Sequence, residues 1–309
     1  MIFQSGTVLV LGAGASLPYR FPLGQELKKT IIVNTASASS TSGKQFLEAG
    51  FSEDQVLEFN KDLVRSIFPT IDAFLENRPS RREIGAFAIA QALMPIEDEN
   101  VLFPPKDWYP ALFHELDFKD HAHTPSVIGV VTFNYDRSLE HYMRETINRS
   151  FEGAAKDKAL EKLESVPIIH VHGQVGPYPD VPYLGNRSVQ DIKKGAEGIS
   201  LIHDTSLDSA ESFEEARFRI KEATEVVFLG FGYDRRSLMR LGALGSTGSR
   251  RFWGTAYNVP SEEVERIRGL CRPAIHLSAS TVEVFLRNFQ KEKKQLLHSS
   301  RRAVSASRR

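Results

Sequence analysis

Six short runs of apolar, largely β-branched residues constrain the fold of this chain more than any other feature of its sequence. Each run is nearly continuous in apolar residues, as expected for strands of a parallel sheet that is covered on both faces. Helical patterns lie between most of the runs, so the sequence predicts an α/β fold with a Rossmann-like, doubly wound parallel sheet. The predicted strands span residues 7–11, 127–133, 167–171, 225–230, 251–257 and 274–277.

The interval between the first two predicted strands is far too long for a single crossover helix. It contains several amphipathic segments, one of which is preceded by a capping box of Ser80 and Glu83. We therefore expect a small helical subdomain at residues 35–125, inserted into a sheet core at 1–34 and 126–290, with a ligand cleft between them. The predicted helices of the insertion span residues 55–68, 71–75, 82–93 and 108–116.

Two segments of biased composition fall outside this pattern. Residues 35–43 are rich in Ser, Thr and Ala, so we expect a mobile surface loop or, alternatively, a lid over a bound ligand. A helix is predicted after the sixth strand, where Ser280 and Glu283 have capping-box spacing. Beyond it, residues 291–309 are rich in Lys and Arg with Glu292 as their only acid, which is typical of a solvated, flexible tail; a partner-binding arm is the alternative.

Composition excludes several classes of protein. The 309 residues include 39 Lys and Arg against 39 Asp and Glu, so no overall field attracts the chain to nucleic acid or to a membrane surface. The single cysteine, Cys271, excludes an internal disulfide framework and a multi-cysteine zinc site, and we expect it to be a buried apolar residue. The absence of a signal region and of a membrane-length apolar stretch favours the cytoplasm.

A turn of small residues, Gly12-Ala13-Gly14-Ala15-Ser16, directly follows the first predicted strand. Small residues at this point let backbone amides approach a pyrophosphate where a helix begins. Leu17 occupies the third glycine position of the dehydrogenase fingerprint G-x-G-x-x-G, so the turn fits a nucleotide but not an ordinary Rossmann dehydrogenase. The alternative interpretation is a tight loop with no ligand.

Polar side chains follow the second and third predicted strands. In Thr132-Phe133-Asn134-Tyr135-Asp136, capping of the next helix accounts for Asp136 but not for the carboxamide of Asn134. Of His170 and His172 we expect only one to face the cleft, and His172, next to Gly173 at the strand end, is the candidate. We expect no metal there, because neither H-E-x-x-H nor a cysteine cluster is present.

The fourth predicted strand ends in a second glycine turn, Gly230-Phe231-Gly232. Asp234 follows as the predicted N-cap of a helix. Two glycine-rich strand ends can hold two portions of one extended ligand, such as a dinucleotide.

Taken in order, the GAGAS turn, the T-F-N-Y-D segment, the H-G strand end and the G-F-G turn resemble the sirtuin family. The chain is most similar to SIR2-like domains of bacterial anti-phage defence proteins, and residues 71–78 resemble their inserted helical region; the resemblance covers residues 8–241. It implies an NAD+ hydrolase that cleaves the nicotinamide–ribose bond, with NAD+ as substrate, no metal, and activity gated by homo-oligomer assembly or by a partner such as a helicase-type, HerA-like ATPase.

The resemblance also implies a role for each matching residue. Asn134 and His172 would be catalytic, with His172 as general base and Asn134 holding water and a ribose hydroxyl through its acceptor and donor ends. Asp136 would recognise the nicotinamide amide or stabilise developing positive charge. The remaining ligand-binding residues would be Gly12, Ala13, Gly14, Ala15, Ser16 and Thr132 near the pyrophosphate and riboses, and Gly230, Phe231 and Gly232 near the adenosine.

Departures from the family pattern narrow the expected activity. Deacetylase sirtuins carry a four-cysteine zinc module and an acyl-lysine-binding strand, and neither is recognisable between His172 and Gly230. The family's G-I-P-D-F-R stretch is replaced at residues 19–24, which leaves Arg20 without an assigned role. The alternatives are a non-catalytic NAD or ADP-ribose-binding regulatory subunit of a defence complex, and a zinc-free protein deacylase or ADP-ribosyltransferase.

Overall fold

A computed structural model describes residues 2–118, 127–183, 187–199, 211–244, 250–271 and 274–306, with only the backbone described for 296–306. All six predicted strands are present in these ranges, and they form one parallel sheet in the order β3-β2-β1-β4-β5-β6. This is the strand order of a Rossmann-like α/β fold, as predicted. The strands are β1 Thr7–Leu11, β2 Val127–Thr132, β3 Ile168–His170, β4 Glu225–Leu229, β5 Arg251–Thr255 and β6 Ile275–Ser278.

Helices cover both faces of this sheet. Every residue of β1 is buried, with Val8 and Val10 in one apolar cluster and Leu9 and Leu11 in the other. This explains why the predicted strands lack polar alternation. The helices are α1 Ala13–Ser16, α2 Gly24–Asn34, α3 Thr41–Glu48, α4 Glu53–Arg65, α5 Ile71–Asn77, α6 Arg82–Leu93, α7 Tyr109–Leu116, α8 Ser138–Ser150, α9 Gly153–Glu164, α10 Val189–Glu197, α11 Glu211–Glu222, α12 Arg235–Arg240, α13 Ser261–Leu270 and α14 Val282–Ala306.

Helix α6 packs against helices from inside and outside the insertion. It packs against α2, α5 and α10, and its residues 84–93 are all buried. The prediction of an amphipathic helix was therefore wrong in character, although its bounds were right. The predicted capping box of Ser80 and Glu83 is not formed, because Pro79–Arg81 makes a 3₁₀ turn and Arg81 occupies the N-cap position without a side-chain hydrogen bond.

Residues 41–43 of the Ser-rich segment 35–43 belong to α3 and not to a loop, and residues 35–40 form the turn that leads into this helix. Ser40 caps the helix by accepting a 2.9 Å hydrogen bond from the Gly43 amide. A Cβ atom at Gly43 would lie 2.1 Å from the Ser37 carbonyl oxygen. The small residues are therefore required for close packing and not only for solvation.

The C-terminal helix α14 continues through Ala306, so the backbone of the predicted tail is helical up to that point. The Lys293 ammonium lies 2.8 Å from the buried Glu225 carboxylate of β4, which ties this part of the segment to the sheet. The helix is capped by Thr281, whose hydroxyl accepts from the Val284 amide, and not by Ser280 as predicted. The predicted end of the insertion, 119–125, and the last tail residues, 307–309, lie outside the described residues.

Two further expectations concern Cys271 and membrane spans. Cys271 is buried and free, as predicted, and burial raises the pKa of its thiol to about 11. Among the residues that the structure describes, no helix is both long enough and apolar enough to span a bilayer.

Candidate functional site

Three of the predicted motifs follow β1, β2 and β4, which are neighbours in the sheet, and the motif with His172 follows the edge strand β3. The chain proceeds from β1 to β2 and β3 on one side and returns past β1 to β4, so the carboxyl ends of β1 and β4 form a topological switch point. Ligands of open α/β sheets bind in the crevice at this point. The small-residue turn 12–16 follows β1, and the glycine turn 230–232 follows β4.

These two turns pack backbone against backbone. The Gly12 amide donates to the Leu229 carbonyl at 3.0 Å, and the Gly14 amide donates to the Gly230 carbonyl at 2.9 Å. Gly230 has a φ of +59°, and a Cβ atom there would lie 2.1 Å from the Ala15 nitrogen. Glycine is therefore required by the packing of the turns themselves, and the Gly14 amide is already used within the protein.

A cavity of about 480 Å³ borders both turns, which is within the usual size range of a small-molecule site. Gly14, Gly230 and Gly232 contribute to its wall, and a Cβ atom at Gly232 would meet nothing within 4 Å. The ring of Phe231 is buried against Phe133 and other aromatic residues. Phe231 also lines the cavity, and the rest of the wall comes from Leu17, Pro18, Leu23, Lys106, residues 255–259 and residues 280–283.

A second, smaller cavity borders the first turn at Ala13 and Ser16 and reaches the T-F-N-Y-D segment after β2. Its volume of about 60 Å³ is about one eighth of the volume of the first cavity. Its other lining residues are Phe21, Pro22, Gly24, Leu27, Asp72, Leu93, Phe133, Asn134, Tyr135 and Asp136.

Asn134 joins the segment after β2 to the turn after β1. Its Nδ2 donates to the Gly12 carbonyl at 3.0 Å and to the Ser16 hydroxyl at 2.9 Å. A carbonyl can only accept, so Gly12 fixes the orientation of the carboxamide. Both donor hydrogens are used, and Oδ1 accepts no hydrogen bond within the described part of the chain. In this structure Asn134 therefore offers a ligand its acceptor end, and the use of both ends by a ligand stays a prediction.

Thr132 holds the backbone of Asn134 in place. It is buried, and its hydroxyl accepts a 3.1 Å hydrogen bond from the Asn134 backbone amide. The structure therefore places Thr132 where it orients a neighbouring residue, and not on the wall of either cavity.

Asp136 is buried and held by its neighbours. Its carboxylate accepts from the Ser138 amide at 3.2 Å, from the Ser138 hydroxyl and from the Ser16 hydroxyl. Burial raises the pKa of Asp136, while the hydrogen bonds from Ser138 and Ser16 lower it; the net shift is upward. Asp136 satisfies the first amide of α8, in line with the predicted capping role, although Arg137 occupies the formal N-cap position.

His170 and His172 have different environments, and the reason was not predicted from the sequence. Alternate residues of a strand share one face, so strand geometry alone does not separate His170 from His172. They separate because β3 ends at His170. The His170 ring hydrogen-bonds to the Asn134 carbonyl at 2.8 Å and to the Glu140 carboxylate at 2.6 Å, which gives it a structural role.

His172 lies beside the smaller cavity without lining it. Its ring centroid is 5.5 Å from that of Phe133 and 6.2 Å from that of Tyr135, the two residues that flank Asn134. Phe213 packs on the ring as well, at 5.8 Å. No hydrogen bond to His172 is present among the described residues. The imidazole is therefore next to the cavity wall and held by ring packing.

The pKa values of the two histidines shift in opposite directions. Burial lowers the pKa of His172, and the nearby carboxylates of Asp72 and Glu76 offset part of this effect. Burial also opposes protonation of His170, but the adjacent Glu140 carboxylate prevails and raises the pKa of His170. His172 is therefore the imidazole that is neutral, and able to accept a proton, at neutral pH.

Sequence reasoning missed two contacts that complete the site. The Tyr135 hydroxyl donates to the carboxylate of Asp72, which α5 brings to the cavity. The Trp108 indole donates to the Ala15 carbonyl at 2.8 Å. Tyr135 and Asp72 both lie in segments that the sequence had marked, the T-F-N-Y-D motif and residues 71–78. Nothing in the sequence indicates that these two residues contact each other.

Comparison of this chain with protein-family models and with curated proteins finds no match. The sirtuin resemblance therefore stays a prediction, which rests on the motifs and their order. Within the described ranges, no group of three or more His, Cys, Asp or Glu side chains is arranged to hold a metal ion.

Proposed function

We propose that this protein is an NAD+ glycohydrolase, which cleaves NAD+ to nicotinamide and ADP-ribose. The observation that carries the proposal is the pair of hydrogen bonds from Asn134 to Gly12 and Ser16, at 3.0 and 2.9 Å. These bonds join two of the sequence motifs at the switch point of the sheet, and they leave a carbonyl acceptor and the neighbouring imidazole of His172 beside one cavity.

The two cavities support an extended ligand. The larger one, bordered by Gly14 and Gly232, suits an adenosine portion, and the smaller one, bordered by Ser16 and Asn134, suits the nicotinamide riboside portion. The small-residue turn borders both, so the pyrophosphate would cross this turn. This is the arrangement that the strand order favours for a dinucleotide.

The proposed chemistry breaks the bond between ribose C1′ and the pyridinium nitrogen. Nicotinamide leaves as a neutral molecule with the electron pair of that bond, and the ribosyl group acquires oxocarbenium character. A water oxygen then bonds to C1′, and His172 accepts the proton that the water loses. The Asn134 carbonyl would accept a hydrogen bond from the water or from a ribose hydroxyl.

We further propose that the activity is gated and serves anti-phage defence by NAD+ depletion in the cytoplasm. The support is the small volume of the nicotinamide-side cavity, about 60 Å³, against about 480 Å³ for the cavity on the adenosine side. The sirtuin resemblance supports gating by homo-oligomer assembly or by a HerA-like ATPase partner.

The test is release of nicotinamide from NAD+ by the purified protein, alone and with candidate partners. Asn134→Ala and His172→Ala are expected to abolish release. Asn60→Ala is a matched control, because Asn60 also donates to a carbonyl and a hydroxyl, at 2.7 and 2.9 Å, but lies in the insertion. His114→Ala, at an exposed position of α7, is the control for His172.

The outcomes separate the proposal from its rivals. Parent-rate hydrolysis by both Asn134→Ala and His172→Ala would show that the site is misassigned. NAD+ binding without nicotinamide release under any condition would favour the regulatory binding subunit. Release that requires an acylated peptide or an acceptor protein would favour the deacylase or transferase.

A further inference from the structure

A carboxylate from the insertion faces the cavity that contains Asn134. Asp72 lies in the first turn of α5, is half-buried, and lines the smaller cavity together with Ser16 and Asn134. The Tyr135 hydroxyl donates to its Oδ1. This is how the insertion contributes a charged group to the edge of the sheet.

Asp72 differs from the other acid on its helix. Glu76, one turn later, pairs with Arg236 and with Arg240, each at 2.6 Å. Among the described residues, Asp72 makes no ion pair, and Tyr135 is its one hydrogen-bond donor outside its own helix. A carboxylate that faces a cavity without a cation is placed to receive a cationic ligand.

Asp136, the acid that the sequence suggested for this role, is not available. Ser16 and Ser138 already supply its hydrogen bonds, and it is buried at the start of α8. Its contacts fix the positions of Ser16 and Ser138. Both acids line the smaller cavity, but Asp136 is held at the start of α8 by Ser138, whereas Asp72 comes from the insertion and accepts from Tyr135.

We propose that Asp72 is the carboxylate that faces the pyridinium–ribose portion of NAD+ and stabilises the positive charge that develops on the ribose as nicotinamide leaves. This inference rests on the proposed function. A fixed carboxylate in a partly dehydrated cavity stabilises an oxocarbenium-like centre more strongly in the transition state than in the ground state.

The test compares two ligands that differ in this charge. A carbocyclic NAD+, which cannot be hydrolysed at the ribose, carries the pyridinium, and its reduced form does not. Titration calorimetry of the full chain should show that the oxidised form binds about tenfold more tightly. Asp72→Asn should bring the ratio of the two dissociation constants close to one, and Asp72→Ser provides a second variant should Asp72→Asn unfold.

Two controls separate charge from structure. Tyr135→Phe removes the hydrogen bond to Asp72 but keeps its charge, so the ratio should persist. Asp136→Asn should also keep the ratio, because the inference assigns the charge to Asp72. In steady-state kinetics, Asp72→Asn should lower kcat by roughly a hundredfold with a much smaller change in KM.

Three results would overturn the inference: equal binding of both ligand forms to the parent protein, an unchanged ratio in Asp72→Asn, or loss of the ratio in Asp136→Asn. A charge preference that depends on Asp72, in a protein that never releases nicotinamide, would instead contradict the proposed hydrolase activity and leave the assignment of Asp72 intact.

Discussion

The indole nitrogen of Trp108 donates a 2.8 Å hydrogen bond to the carbonyl oxygen of Ala15, and both residues are buried. Trp108 precedes the last described helix of the insertion, whereas Ala15 belongs to the turn after β1. This bond therefore fixes the turn relative to the inserted helices. Both parts line the smaller cavity, the turn through Ser16 and the inserted helices through Asp72.

We expect Trp108→Phe to lower the free energy of unfolding by about 1–3 kcal/mol, because it leaves the buried Ala15 carbonyl without its donor. Trp253→Phe is the matched control, since the Trp253 indole nitrogen is buried and has no hydrogen-bond partner among the residues that the structure describes. Removal of the Trp253 indole nitrogen should lower the free energy of unfolding by less than removal of the Trp108 indole nitrogen. Urea denaturation of both variants tests this, and equal destabilisation would show that the bond to Ala15 contributes nothing specific.

The two glycines of the turn after β4 should respond differently to alanine. Gly230→Ala places a Cβ atom 2.1 Å from the Ala15 nitrogen at a φ of +59°, so it should cost at least about 2 kcal/mol of stability. Gly232→Ala meets no atom within 4 Å and should fold normally. Because Gly232 lines the larger cavity, its added methyl should weaken NAD+ binding by roughly tenfold. Unchanged affinity in Gly232→Ala would exclude this wall from the ligand site.

The buried ion pair of Arg137 and Glu97 should be essential for stability. Both side chains are fully buried, 2.6 Å apart, and Arg137 also donates to the Val181 carbonyl at 2.5 Å. Glu97 also pairs with Arg187 at 2.6 Å, so Arg137→Met removes one of two guanidinium partners of a buried carboxylate and should cost about 3 kcal/mol. Arg149→Ala, at an exposed ion pair, should cost less than about 0.5 kcal/mol. Thermal and urea unfolding measure the loss of stability in the two variants. Equal destabilisation by Arg137→Met and Arg149→Ala would contradict the prediction.

The pH dependence of hydrolysis should report the environment of His172. The base must be neutral, and burial lowers its pKa, so kcat/KM should stay high down to pH values below about 6.5 before it falls. The charged groups that act on the ring are Asp72, Glu76 and Asp234, which raise its pKa, and Arg240, which lowers it. Asp72→Asn should therefore move the acid limb to lower pH. An acid limb centred above pH 6.5 in the parent enzyme would rule out His172 as the base.

The sheet was predictable because its signal is local. Each strand is a short apolar run, and burial on both faces leaves no alternative position for residues such as Val8 and Leu9. The order of the strands and the meeting of their carboxyl ends then follow from general rules of open sheets. Helix α6 shows the limit, since an apparently amphipathic pattern did not reveal that other helices surround it.

The details of the site were less accessible, because they depend on contacts between distant segments. Asn134 was identified from its position after a strand, but the use of its donors by Gly12 and Ser16 arises only once β1 and β2 pair. Asp136 and Asp72 could not be distinguished from sequence either. Their difference lies in what surrounds each carboxylate, and Tyr135 reaches Asp72 across the boundary between sheet and insertion.

The pairing of β1 with β4 has a consequence for synthesis of the protein. β1 leaves the ribosome more than 200 residues before β4, which supplies the Gly230 carbonyl to the Gly14 amide. A nascent or truncated chain that stops before β4 has an unpaired central strand and half of a ligand edge. The proposed hydrolase is thus unable to consume NAD+ until β4 has been translated and has paired with β1.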